Sequence, residues 1–448
     1  MAHPITPNPS SSPAHNASTA TQDSDESDEM LVDWKAKYMA LEAHSRLTKR
    51  KRSGNETQGS ITQQGRGIRL LVSLFLDPAQ IVVAGEAYEQ TQQEPLEYDE
   101  FNDELSEEQE KAVAERRPDE RLFTAYRLLL ELVPGLLYQL TNCNNPDDLT
   151  SYYIQLNKGA NDSRSDDIGR ITRLLANLIN NDRYNKEILQ FDFTPPAKNQ
   201  DGQTIRDQHG NTVRQYAPIL TQERNNRGVQ HDICGGLLSS TDCDWKDDMF
   251  VIISDPTLTY SSLSFSARIA ARTFEPDSTY SASFLCRIFF QGFEFKPEDP
   301  YEGFLQSHYL VSCYKSVFLG PSSVKNNENV PPTAKRIKNN VGQARNVATR
   351  LKMNGRVTGR SVAYIAVLTH FCLTNAEQWT EEFGGFLYSS MYNFIVDYFE
   401  AARVGTAHRE RVDKLLAWWD SQIFPHHPST RTVSKTTSNT IARLRGLR

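Results

Sequence analysis

The segment from Ser361 to Leu373 is apolar on almost every face that a helix would present to its surroundings. It reads SVAYIAVLTHFCL, whereas an amphipathic surface helix would confine its apolar residues to one stripe. The segment is too short to cross a bilayer, which needs roughly 18 or more uninterrupted apolar residues, and it contains His370. It therefore predicts a helix buried on all sides in a protein core, with other helices packed around it.

The surrounding sequence supplies amphipathic helices that can cover such a core. Apolar residues recur at helical spacing in the segment that opens at Pro118 and again in Asp166–Asn180. The later predicted helices are Tyr301–Phe318, Ala334–Met353, Thr358–Leu373, Phe386–Ala402 and His408–Ile423. Within Phe386–Ala402, the predicted buried stripe consists of Leu387, Met391, Phe394, Ile395, Tyr398 and Phe399. Aromatic residues at this spacing are typical of a helical core rather than of a ligand site.

Composition divides the 448 residues into five segments. Residues 1–30 are rich in Pro, Ser and Thr and end in an acidic run, and residues 31–52 contain a short helix followed by a basic cluster. Residues 53–117 are expected to be a linker with a short apolar element and an acidic stretch. Residues 118–424 form the globular part, and residues 425–448 form a basic mobile tail. The predicted fold class is mainly α: a single large helical domain with an irregular, loop-rich middle, between disordered N-terminal and C-terminal flanks.

The six cysteines are scattered through apolar surroundings and show no disulfide framework. The N-terminal residues lack the apolar core of a secretory signal, and no segment is long enough to span a membrane. We therefore expect free thiols and a nuclear or cytoplasmic protein that is neither secreted nor membrane-bound. The candidate nuclear-import signal is Lys49, Arg50, Lys51 and Arg52. The alternative explanation of that cluster is a helix C-terminus carrying cations that favour its dipole.

Two short patterns suggest chemistry but are better explained as ordinary structure. His231 and Cys234 have the spacing of two zinc ligands, with Cys243 nearby, yet no second ligand pair completes a site. The segment Gly320–Val324 contains two serines, but it lacks the second glycine of a nucleophile elbow and contains Pro321. We predict no metal ligand, no catalytic residue and no cofactor from these patterns.

A third pattern, from Gly355 to Ser361, resembles a phosphate-binding loop. It is one residue short, and Arg360 stands where a lysine should reach the phosphates. The segment also follows a predicted helix rather than a strand, so a nest of backbone amides is not expected. We interpret it as a turn between two helices, with Thr358 as the N-cap of the second.

The segment from Lys325 to Arg360 contains nine basic residues, and its only acid is Glu328. Such a stripe would neutralise several phosphates and give salt-dependent, largely sequence-nonspecific binding to nucleic acid. The alternative is that the acidic region between Asp77 and Glu120 neutralises these charges within the chain. The residues proposed for nucleic-acid contact are Lys335, Arg336, Lys338, Arg345, Arg350, Lys352 and Arg356.

Several blocks of sequence resemble the signature of an uncharacterised family, a domain of unknown function that is expanded in mushroom-forming (agaricomycete) fungi. They are YKSVFLGPSS at Tyr314–Ser323, RNVA at Arg345–Ala348, VTGRSVAY at Val357–Tyr364 and YNFIVDYFE at Tyr392–Glu400. The resemblance covers roughly residues 120–405 and is strongest after residue 295. The family has no established activity or catalytic residues, so the resemblance implies a fold and no function.

Three hypotheses about function follow. The leading one is a non-catalytic interaction protein of the nucleus or cytoplasm, with an unknown protein partner and an unknown oligomeric state. The alternative is sequence-nonspecific nucleic-acid binding through residues 325–360. The third is an enzyme of unrecognised type with a site in the irregular residues 181–298, where helical periodicity fades and Gly, Pro, Asn and Asp become frequent. Because no pattern supplies catalytic residues, an enzyme is the least favoured of the three hypotheses.

Overall fold

The computed structural model describes most of the predicted helical domain and separate pieces of its middle. The described residues are 60–91, 106–143, 145–181, 198–206, 210, 212, 218–219, 221–224, 227–228, 231–239, 241, 285–324, 346–383, 386–403 and 405–425. The predicted segments 1–30 and 31–52, with the import signal, lie outside them. So do the tail after residue 425, the centre of the acidic stretch at 92–105 and the basic residues 325–345.

Helices dominate the described residues, as the sequence predicts. The first half of the chain contains α1 (Ile61–Gly65), α2 (Ile68–Leu71), α3 (Pro78–Gln90), α4 (Glu107–Leu132), α5 (Leu136–Asn142) and α6 (Pro146–Asn181). The second half contains α7 (Asp232–Leu238), α8 (His308–Tyr314), α9 (Val347–Arg350), α10 (Gly359–Leu373), α11 (Tyr388–Glu400) and α12 (Ala407–Ile423). Shorter helical turns are Arg287–Phe289, Gln291–Phe293, Lys315–Leu319 and Pro321–Ser323. Strands β1 (Glu382–Phe383) and β2 (Phe386–Leu387) pair antiparallel just before α11.

Helix α10 lies at the centre of the core, and every side chain from Arg360 to Leu373 is buried. Helices α2, α6, α7, α8 and α11 contact it. A capping box fixes its first turn: the Ser361 amide donates to Thr358 Oγ1 at 3.2 Å, and the Thr358 amide donates to Ser361 Oγ at 3.1 Å. The prediction of a helix buried on all sides, with Thr358 as its N-cap, is confirmed.

Part of the irregular middle covers the C-terminal end of α10, where backbone carbonyls lack helical partners. Arg227 donates to the Cys372 carbonyl and the Gly228 amide donates to the Leu373 carbonyl, both at 2.9 Å. Arg224 donates to the Ala376 carbonyl at 2.8 Å. This part of the middle therefore supplies hydrogen-bond donors to the C-terminal end of the core helix.

Residues 60–91, which the sequence assigns to a linker, pack as part of the helical body. Ile68, Leu70, Val72 and Leu74 are buried, and α2 contacts α10. The apolar run in this segment is too short for its periodicity to identify a core element, which explains why the sequence predicts a linker.

Helix α4 begins at Glu107 and continues through Pro118. The sequence favours a helix start at Pro118, because proline lacks the amide hydrogen that interior helix positions donate.

Helix α1 approaches α6 at two glycines. A Cβ on Gly159 would lie 1.8 Å from the Thr62 carbonyl oxygen, and a Cβ on Gly65 would lie 2.1 Å from the Leu156 carbonyl oxygen. Both obstacles are backbone atoms, which cannot rotate away as a side chain can. Gly169, on the same α6, has only the end of the Arg173 side chain nearby, at 3.6 Å.

We expect Gly159→Ala to lower the free energy of unfolding by about 2 kcal/mol, because α1 must move off α6. The matched change Gly169→Ala should raise it by about 0.5 to 1 kcal/mol, since alanine is the better helix former and meets no backbone. Urea denaturation of both variants measures the two values. Equal effects at the two positions would show that the α1–α6 approach is not close.

Candidate interaction site

A groove of about 580 Å³ lies between α4 and α11. The α4 residues that line it are Val113, Ala114, Arg117, Pro118 and Arg121, and the α11 residues are Ser390, Asn393, Phe394 and Asp397. The wall contributed by α4 combines small apolar side chains with two arginines. The groove therefore offers both an apolar surface and cationic groups to a bound segment.

Ion pairs hold the two walls of the groove together. Arg121 of α4 donates to both oxygens of Asp397 on α11, at 2.6 and 2.8 Å. Beneath them, Arg360 donates to both oxygens of Glu400 at 2.6 and 2.8 Å and to the Arg121 carbonyl at 2.9 Å. Arg360 is thus bonded to α4 and α11 from the first turn of α10. These contacts set the separation of the walls without any ligand.

A row of rings leads from the groove towards α12. The Phe394 and Phe304 ring centroids are 6.4 Å apart, and those of Phe304 and Tyr398 are 5.4 Å apart. The Tyr398 ring lies 5.1 Å from the ring of His408 on α12. Phe304 is buried, whereas Phe394 is 36% exposed on the groove wall. The predicted stripe of α11 is correct at Met391, Ile395 and Phe399, which are buried, but wrong at Phe394, whose ring is partly exposed.

Two arginines beside this row keep their charge unneutralised. Within the described part of the chain, neither Arg117 nor Arg411 forms an ion pair with a carboxylate. Arg411 instead lies over the Tyr301 ring, with its guanidinium carbon 4.4 Å from the ring centroid. Burial lowers the pKa of His408, and the charges of Arg411 and Arg117 lower it further, against a hydrogen bond with the Tyr398 backbone that raises it. Both arginines therefore oppose protonation of His408.

The predicted nucleic-acid residues are only partly described. Lys335, Arg336, Lys338 and Arg345 lie outside the described residues, as do Lys49, Arg50, Lys51 and Arg52. Arg350, Lys352 and Arg356 are exposed around the turn between α9 and α10. Lys352 and Asn354 both have positive φ, 54° and 52°, and Met353 between them is buried, which fixes the turn to the core.

The rejected motifs have structural roles in the described residues. His231 is the N-cap of α7, and its Nδ1 accepts from the amides of Ile233 and Cys234 at 3.3 Å each. Cys243 lies outside the described residues, and no group of His, Cys, Asp and Glu within them is arranged to hold a metal ion. Pro321–Ser323 is a 3-10 turn after Gly320, whose φ of 109° favours glycine.

Comparison with known proteins gives a family and no activity. The model of a family described as "Family of unknown function (DUF6698)" matches residues 158–424, more than half of the chain. The chain belongs to this family, in agreement with the resemblance of its sequence blocks to an uncharacterised domain. No curated protein and no solved structure matches the chain. No helix among the described residues is long and apolar enough to cross a membrane.

Proposed function

We propose that this member of the family is a non-catalytic interaction protein, and that the groove between α4 and α11 receives a segment of a partner protein. The observation that carries the proposal is the exposed ring of Phe394 on one wall, opposite the unneutralised Arg117 on the other. Aromatic and arginine side chains dominate the binding energy of protein interfaces. The ion pair of Arg121 with Asp397 supports the same function, because a groove of fixed width binds without first paying to be formed.

The buried ionisable groups support a non-catalytic function. Burial raises the pKa of the Cys234 and Cys313 thiols to about 12, whereas a nucleophilic cysteine needs a lowered pKa. Burial also lowers the pKa of His370 to about 3, and its ring stacks on that of Phe386 at 4.2 Å. These groups are enclosed by the core and do not converge on the groove.

The test is selection of a displayed peptide library on the full-length protein. We expect the selected peptides to bind Phe394→Asp about tenfold more weakly than the wild type, because the variant places a charge on the apolar wall. Tyr138→Asp is the matched control, since Tyr138 is 51% exposed on α5, away from the groove. Peptides that bind both variants equally would show that the groove is not the docking surface, and turnover of a substrate that point variants abolish without unfolding would refute the non-catalytic role.

A second function is favoured by the exposed turn at Arg350 and Lys352, which form no ion pair with described residues. We propose sequence-nonspecific nucleic-acid contact as this alternative, with Lys335, Arg336, Lys338, Arg345 and Arg356 as the other candidate contact residues. Fluorescence polarisation with labelled DNA over a salt series tests it. Charge reversal at Arg350 and Lys352 should reduce the slope of log affinity against log salt by about 2. Binding that salt or this double variant leaves unchanged would rule it out.

The proposed location is the nucleus or the cytoplasm, where a partner would be met. The support for nuclear import is the basic cluster from Lys49 to Arg52, which lies outside the described residues. The leading function does not depend on the choice between the two compartments.

A further inference from the structure

We infer that the partner segment is acidic: its carboxylates pair with Arg117 and Arg411, and an apolar side chain of the same segment packs on Phe394. The inference rests on the proposed function, since it names the chemistry of the segment that the groove receives. It concerns a surface built from α4, α11 and α12, together with the loop that carries Tyr301.

The charges of the groove are unequal. Arg121 is neutralised by Asp397 at 2.6 Å, whereas Arg117, one helical turn earlier on α4, has no carboxylate partner among the described residues. A bound segment would remove Arg117 from water, and the cost of desolvating an unpaired cation is high unless the segment brings an opposite charge. Electrostatic complementarity therefore selects an acidic segment over a neutral or basic one.

The second cation extends this preference beyond the groove. Arg411 belongs to α12, and the row of rings from Phe394 through Phe304 and Tyr398 connects the groove to it. His408 precedes Arg411 by about one turn on α12, and its ring lies 5.1 Å from the ring of Tyr398 at the end of that row. Tyr301, 47% exposed beneath Arg411, continues the apolar floor at this end.

The placement of the two arginines favours spaced single charges over a phosphate. Arg117 lines the groove from α4, whereas Arg411 of α12 lies over the Tyr301 ring. A phosphate concentrates a charge of about −1.5 to −2 in a single group at neutral pH. A segment that alternates glutamate with apolar residues can place one carboxylate against each arginine, which a single phosphate group cannot do.

Fluorescence anisotropy of labelled peptides on the full-length protein tests the inference. One peptide alternates Glu with Leu and Phe, and three counterparts of equal length replace Glu by Gln, Lys or phosphoserine. A labelled single-stranded DNA is the fifth probe. We expect the Glu peptide to bind about tenfold tighter than the Gln peptide, and Arg117→Glu and Arg411→Glu each to weaken it by about three- to tenfold.

Arg173→Glu is the matched control, because it reverses an exposed charge on α6, outside the groove. It should leave the affinity for the Glu peptide unchanged. Equal binding of the Glu and Gln peptides, lost in Phe394→Asp, would overturn the acidic inference and leave the proposed function standing. Tighter binding of the phosphoserine peptide or of DNA, lost in Arg117→Glu, would overturn it in favour of phosphate. If none of the probes binds, both the inference and the proposed groove fail.

Discussion

Arg360→Ala is expected to lower the free energy of unfolding by about 4 kcal/mol, measured by chemical denaturation. The Arg360 side chain is 3% exposed and gives its Nε and Nη2 to the two carboxylate oxygens of Glu400. Its Nη2 also donates to the Arg121 carbonyl, and its Nη1 donates to the Val72 carbonyl. Alanine would leave a partly buried carboxylate and two backbone carbonyls without these donors, which costs more than the loss of packing alone.

Two further variants identify the source of that loss. Arg360→Lys keeps the charge but cannot reproduce the planar fork, so we expect a loss of about half the size. Arg409→Ala is the surface control, because Arg409 pairs with Asp413 at 3.3 Å where both side chains are largely exposed. Removing such a pair should cost less than about 1 kcal/mol. If Arg360→Ala and Arg409→Ala cost the same, the buried network does not stabilise the fold.

The sequence does not distinguish a buried arginine from a surface cation in this protein. Arg360 belongs to the basic stretch 325–360, whose composition predicts surface cations, yet its side chain is buried in the core. Its partners Glu400, Arg121 and Val72 are distant in the sequence, so local charge patterns carry no information about them. Helix α10 could be predicted because an all-round apolar composition is a local property, and the capping residue Thr358 lies next to it.

The groove could not be predicted, because the residues that form it are also distant in the sequence. Its walls meet through Arg121 and Asp397, which are 276 positions apart in the chain. The pattern of α11 marks Phe394 as one member of a wide apolar stripe, and periodicity does not show how much of a stripe its neighbours cover. The sequence therefore shows an aromatic residue on a predicted helix but not the extent of its exposure.

Asp167→Asn is expected to stabilise the protein by about 2 kcal/mol near pH 7, which is the opposite sign from Arg360→Ala. Asp167 is 4% exposed on α6, and burial raises its pKa from 3.8 to about 6, although the charge of Arg170 and the hydrogen bond from Tyr364 oppose the rise. Tyr364 Oη donates to Oδ2 at 2.9 Å, and Arg170 donates to Oδ1 at 3.2 Å. Asparagine still offers an acceptor to Tyr364 and carries no charge to desolvate.

The pH dependence follows from the direction of the shift. Because the folded state holds the proton more tightly than the unfolded state, the stabilisation from Asp167 is complete below about pH 4 and is lost as the pH rises through about 6. At 1.36 kcal/mol per pKa unit the loss approaches about 3 kcal/mol, and Arg170, left without its ion pair in the variant, reduces the net gain. We therefore expect the variant to match the wild type near pH 4 and to exceed it increasingly up to pH 7.

Denaturation of both proteins at a series of pH values measures this difference and cancels the contributions of all other carboxylates. Asp166→Asn is the neighbouring control, because Asp166 is exposed and pairs with Arg66 at the surface, at 2.6 Å. Its effect should stay within about 1 kcal/mol. A less stable Asp167→Asn variant at pH 7, with a deficit that shrinks towards pH 4, would mean that Arg170 and Tyr364 outweigh burial and that Asp167 stabilises the core as an anion.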